Sequence, residues 1–215
     1  MMPRPHPAFA IVLALIPVAC SDPAAPGDPT EPDEWLGATW ADLGRACPAD
    51  APAFSLSEAA RDSVPILDHE LGTMDALWAG FAREVPGGWG GLFYKDGRLT
   101  MYLVDPDQQD EATASLARLF EGSTWAGYAP QLASARILEG RWDFAQLFDW
   151  YRYINQYIWE VDGVTFSDIQ EAANRIEYGA EDEDALRRAT EALAALDLPC
   201  FLVALQIRGM PEAAR

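Results

Sequence analysis

"NRIEYGAEDEDALRRATEALAAL", Asn174 to Leu196, decides the fold, because "GRLTMYLVDPDQQDEATASLARL", Gly97 to Leu119, carries the same pattern without a gap. The offset is 77 residues: Arg98 matches Arg175, Leu99 matches Ile176, Leu116 matches Leu193 and Leu119 matches Leu196. In the first copy Leu99, Met101 and Leu103 alternate with Thr100, Tyr102 and Val104, the period of a strand. Asp105-Pro106 then opens a helix. An aspartate at the cap accepts from free backbone N–H groups, and proline at the first helical position loses nothing by lacking one. Asp107, Asp110 and Glu111 favour the positive end of the helix dipole. Apolar periodicity alone could match by chance. The joint match of turn, strand, acidic cap and helix marks a duplicated unit.

Working outward, Leu67, Leu71, Met74, Leu77, Trp78 and Phe81 predict a helix over Ile66–Arg83, ended by Pro86-Gly87-Gly88. Lys95-Asp96-Gly97-Arg98 is a hairpin turn between two short apolar runs. Ser134–Trp142 reads as a strand. The order then recurs: a helix over Asp143–Trp159, a hairpin over Val164–Ala180 turning near Glu171–Asn174, a helix over Asp182–Leu196 and a strand over Phe201–Ile207. The expectation is an α+β protein of two duplicated helix-strand-strand-helix-strand units, 66–142 and 143–215, with antiparallel sheets covered by helices. Residues 35–65 read as irregular, with a short helix begun by Ser57-Glu58.

The first 34 residues read as an address. Arg4 precedes the apolar run Ala8–Ala19, too short for a mature membrane span but suited to a signal peptide over 1–19. Val18-Ala19-Cys20 resembles the lipobox of bacterial lipoproteins, with Pro17 where that motif usually carries leucine, and makes Cys20 the expected lipidation site. The alternative is an ordinary secretory signal that happens to hold a cysteine. In Ser21–Glu34 a proline recurs every third residue, excluding helix and sheet. Residues 20–34 are therefore expected to be a lipidated cysteine and an extended tether. The expected location is the bacterial cell envelope, facing the periplasm or the outside, with the bilayer as a partner through the acyl anchor.

An exported chain leaves Cys47 and Cys200 to pair, which would stabilise the fold by about 4–5 kcal/mol through closure of a long loop. The alternative is a buried free thiol at Cys200. Half the residues are apolar, enough for a real core, and the formal net charge is −19. That balance argues against nucleic acid and against electrostatic docking on anionic lipid.

No catalytic set emerges. Beyond the signal the chain has one histidine, His69, and nothing orients it as a base. One histidine and two pairing cysteines fall short of a metal site, and no cofactor motif is present. The acidic runs at 105–111 and 181–184 lack the glycine and spacing of a calcium loop; helix capping accounts for both. "GGWGG", 87–91, lacks the Lys and Ser/Thr of a phosphate loop and leads into a strand.

The helix at 143–159 carries two aromatic stripes. Phe144, Leu147, Phe148, Tyr151, Ile154 and Ile158 should be core. Trp150, Tyr153 and Tyr157 lie beside them and are the candidate partner-binding residues, since Trp and Tyr bury large areas with few rotamers. The alternative is that this second stripe packs against the first repeat.

The second hairpin, "GVTFSDIQEAANRIEYGAEDE", Gly163 to Glu183, resembles a segment of the pro-regions of alpha-lytic-protease-type and streptogrisin-type serine proteases. The similarity rests on Gly163, Val164, Asn174, Arg175 and Ile176; Gln170 stands where that family usually has Asp. "GGLFYKDGRLTMYLVD", Gly90 to Asp105, is similar to that family's first hairpin. No protease domain lies within these 215 residues. The resemblance implies the fold and a surface that pairs with another protein's strand, an exported protease being one such partner. The expected function is a non-enzymatic, membrane-anchored protein-binding module of inhibitor or chaperone type. The alternative is a structural envelope lipoprotein with no specific client.

Overall fold

The computed structural model describes residues 47–65 and 72–208. The signal peptide, Cys20, the proline tether and His69 lie outside the described residues. The chain is α+β, as its sequence predicts. After α1 (Glu58–Asp62), the first repeat runs α2 (Met74–Glu84), β1 (Trp89–Lys95), β2 (Arg98–Leu103), α3 (Gln109–Glu121), α4 (Ala129–Leu132) and β3 (Arg136–Glu139). The second runs α5 (Phe144–Ile158), β4 (Val164–Gln170), β5 (Arg175–Ala180), α6 (Glu183–Ala194) and β6 (Val203–Ile207).

Each repeat forms its own three-stranded sheet, β1-β2-β3 and β4-β5-β6. The hairpins are antiparallel, but β3 pairs parallel to β2 and β6 parallel to β5. The sheets are therefore mixed rather than wholly antiparallel. A helix between β2 and β3 returns the chain to its starting end, which only a parallel partner can use.

The duplication extends to fine detail. Gly97 (φ 71°) and Asn174 (φ 53°) are equivalent left-handed residues that launch β2 and β5. Asp105 caps the 3-10 turn leading into α3, and Asp182, at the same 77-residue offset, caps α6 by accepting from Ala185 N at 2.8 Å. Ala112 and Ala189, and Leu116 and Leu193, are equivalent pairs with no exposure. Both first strands carry a bulge at the same end, between Trp89 and Leu92 and between Val164 and Phe166. Gly140 N donates to Leu103 O as Arg208 N does to Ala180 O.

Two differences separate the copies. The hairpin turn has two residues in the first, Asp96 and Gly97, and four in the second, 171–174. Sixteen residues lie between Leu119 and Arg136, but seven between their equivalents Leu196 and Ala204. The nine extra residues build α4 and the 3-10 turn Ala126–Tyr128.

Of the helix expected over Ile66–Arg83, residues 66–71 lie outside the described residues, and α2 begins at Met74. Thr73 is extended, and its hydroxyl accepts from Ala76 N at 3.2 Å, so apolar periodicity ran past a true cap. The helix read as 143–159 is α5, with a capping box: Asp143 accepts from Gln146 N at 2.7 Å, and Gln146 Oε1 accepts from Asp143 N at 3.1 Å. α5 packs on α2, α6 and strands of both sheets, so one core spans the two repeats. Asp149, half-buried on its flank, faces Arg83 at 3.0 Å and Arg61 at 3.5 Å, tying α2 and α1 to it.

Candidate functional site

The three aromatic candidates form one row of touching rings but differ in burial. Trp150 is 3% exposed and belongs to the core. Its indole N–H donates to Phe54 O at 3.1 Å, and the Phe54 ring meets it edge-on at 6.0 Å. What covers Trp150 is the segment before α1. Tyr153 is half-buried, and Tyr157 is 43% exposed, their rings 5.3 Å apart. Of the expected stripe, only its C-terminal end faces solvent, where Trp159 adds a further exposed ring.

Cys47 and Cys200 form a disulfide, with Cα atoms 5.6 Å apart. It fastens residues 47–57 to the loop before β6.

The seam between the repeats is built on Asn174. This residue is 5% exposed, and its left-handed backbone points its side chain out of the second hairpin into the first repeat. Its Oδ1 accepts from Arg141 N at 2.7 Å and Trp142 N at 2.9 Å; its Nδ2 donates to Trp142 O at 2.8 Å and Gly90 O at 3.5 Å. Glycine makes the approach feasible: a Cβ at Gly90 would lie 2.6 Å from both Asn174 Nδ2 and Trp142 O, and one at Gly91 3.0 Å from Glu171 Cγ. The "GGWGG" run is thus partly a cradle for the second hairpin. Tyr102 adds a hydrogen bond to Ala172 O at 3.2 Å.

Carboxylates gather at this seam. Asp168 stands opposite Glu177 in the β4–β5 ladder. Burial, reinforced by the charges of Asp75 and Glu177 against the opposing Arg208, pushes Asp168 up to about 6. Burial likewise pushes Glu171 up to about 7; a backbone hydrogen bond opposes it, and Asp168 and Asp75 add to it. Asp75 is also raised by burial. Glu177 faces Arg208 at 3.5 Å, as an ion pair rather than a hydrogen bond. Asp168 and Glu171 can therefore hold protons near neutral pH. Among the described residues, no group of three or more His, Cys, Asp or Glu is placed to hold a metal ion.

The nine-residue insertion opens a groove of about 450 Å³ in the first repeat. Ala114 and Ala117 of α3, Ala129 of α4, Ala133 at the C-terminal cap of α4 and Ile137 of β3 line it, with Gln109 and Asp110 among its polar residues. β3 is an edge strand. Since Gly140 N bonds back to β2, alternation turns the N–H and C=O groups of Ile137 and Glu139 away from the sheet. Among the described residues no strand pairs with that edge, so an apolar groove and an open strand edge adjoin at Ile137.

Sequence reasoning missed the groove, the carboxylate seam and the role of Asn174. The alanines at 112, 114 and 117 are small residues on a predicted helix and were the one available sign of a groove. No helix among the described residues is long and apolar enough to cross a membrane. No family model, no curated protein and no solved structure matches this chain.

Proposed function

We propose that the protein is a membrane-anchored lipoprotein of the bacterial cell envelope whose folded part is a non-catalytic protein-binding module. Its role would be similar to that of a protease pro-region, as inhibitor or chaperone. The observation that carries the reading is the open edge of β3 beside the alanine-lined groove. An extended segment of a partner adds to the edge through main-chain hydrogen bonds, and one of its apolar side chains enters the groove. A net charge of −19 favours a basic partner and steers its approach. Cys20 and the proline-rich residues 21–34 support the anchor and its tether.

The alternative, a structural envelope lipoprotein with no client, draws on β3 itself. The strand has four residues and bears Arg136 and Glu139, devices that blunt an edge against chance pairing.

Two variants separate the readings. Glu139→Pro removes an N–H that points away from the sheet, and Ala114→Trp fills the groove. With immobilised protein and envelope extract, each should abolish capture of a partner that wild type retains, with little change in melting temperature. Capture unaffected by both variants would refute binding at this edge. For the anchor, Cys20→Ala should yield an uncleaved or soluble species on membrane fractionation.

A further inference from the structure

Residues 47–57, between the disulfide and α1, have no regular secondary structure and lie on the body of the protein. Among the described residues, the backbone–backbone hydrogen bonds of this segment are local: Ala51 N to Pro48 O, and Arg61 N to Ser57 O. The body holds it by side chains instead. Arg141 spreads its guanidinium over two of its carbonyls, Nη1 to Ala51 O at 2.6 Å and Nη2 to Ala49 O at 3.1 Å. Trp150 Nε1 takes a third, Phe54 O, and Gln146 Nε2 donates to the Ser55 hydroxyl at 2.7 Å. Phe54 stands edge-on against Trp150 yet stays 41% exposed.

The receiving groups are fixed independently of the segment. Arg141 packs 4.6 Å over the Phe201 ring, and its backbone N–H is held by Asn174. Gln146 is locked in the α5 capping box, and Trp150 sits on α5 with Tyr153 edge-on at 6.0 Å. Three pre-positioned N–H donors aimed at backbone carbonyls, a fourth aimed at a hydroxyl and one aromatic contact recognise a peptide by its main chain and one ring. That is the composition of a peptide site.

We infer that Arg141, Gln146 and Trp150 form a binding site for peptides carrying an aromatic residue, occupied in cis by residues 49–55 of this chain. The site is separate from the β3 edge and does not rest on binding there. The Cys47–Cys200 disulfide fastens one end of the internal occupant and α1 holds the other, so a competing peptide meets a high effective concentration of it.

The test uses a fluorescently labelled synthetic peptide of residues 48–57 and the full chain carrying Cys47→Ser, Cys200→Ser and Phe54→Ala. These changes free one end of the internal segment and remove its ring. The peptide should bind this variant saturably and wild type at least tenfold more weakly. Adding Arg141→Ala should lower affinity for the variant at least tenfold. No saturable binding to the folded variant, or binding indifferent to Arg141→Ala, overturns the inference. Should the triple variant fail to fold, Phe54→Ala with its disulfide intact takes its place in the same binding measurement. Saturable binding, weakened at least tenfold by Arg141→Ala, is then expected, and its absence overturns the inference equally.

Discussion

The two hairpin tips occupy equivalent places and do opposite things. In the first repeat, Asp96-Gly97 turns in two residues, and nothing approaches within 4 Å of the position a Gly97 Cβ would take. In the second, four residues carry Asn174 into the other repeat, where its amide serves three backbone groups of residues 141 and 142. Both positions need a left-handed backbone, which Gly and Asn both tolerate. The difference teaches that a duplicated local structure can be spent twice: once as a free turn, once as the joint of the molecule. The β2–α3 and β5–α6 units remained alike, while the elements that meet across the seam diverged.

The comparison can be broken at its joint. Asn174→Ala leaves the backbone N–H groups of Arg141 and Trp142 without their acceptor, at about 1–3 kcal/mol for each buried group, and places alanine in a left-handed conformation. The expected loss is about 4 kcal/mol, read as a fall of roughly 8 °C or more in the thermal midpoint. Next come Leu116→Ala and Leu193→Ala, equivalent and fully buried. Each should cost about 3 kcal/mol in urea unfolding. Closely matched losses would sharpen the equivalence of α3 and α6; a gap above about 2 kcal/mol would show that the repeats pack differently there.

A pH series tests the seam more gently. Asp168 and Glu171 titrate higher in the folded state than the ordinary carboxylate range. Their protonated forms are favoured by folding, so this contribution is full below about pH 4 and is lost as pH rises through about 6 and about 7. Glu171→Gln keeps a neutral side chain at every pH. It should therefore gain about 1 kcal/mol over wild type at pH 8, after allowance for solvent screening, with the advantage vanishing near pH 4. An equal advantage at both values would rule out titration at the seam. Smallest of all, Gly97→Ala should cost about 1 kcal/mol by differential scanning calorimetry, since only backbone strain opposes it. Losses of the same size at 97 and 174 would erase the contrast between the tips.

Much of the fold was legible because its signals are local. Asp96-Gly97 names its turn, Asp105, Asp143 and Asp182 name helix starts, and alternation names β2. The start of α2 was misread because leucines at 67 and 71 extend the apolar period across the Thr73 cap. Helical spacing groups Trp150 with Tyr153 and Tyr157 and leaves open whether that stripe binds a partner or packs inside the molecule. The cover of Trp150, Phe54, lies 96 residues away and leaves no mark in that spacing.

The sequence by itself determined the duplicated units, the caps at Asp105, Asp143 and Asp182 and the hairpin turns, because each depends on neighbours along the chain. Only the tertiary structure decided that β3 and β6 run parallel to their neighbours, that Asn174 rather than Gly97 joins the repeats, and that residues 49–55 lie on Arg141 and Trp150. In these cases several partners were chemically acceptable. Burial of one shared core selected among them, since a hydrogen bond or a ring contact gains its full worth where water is excluded.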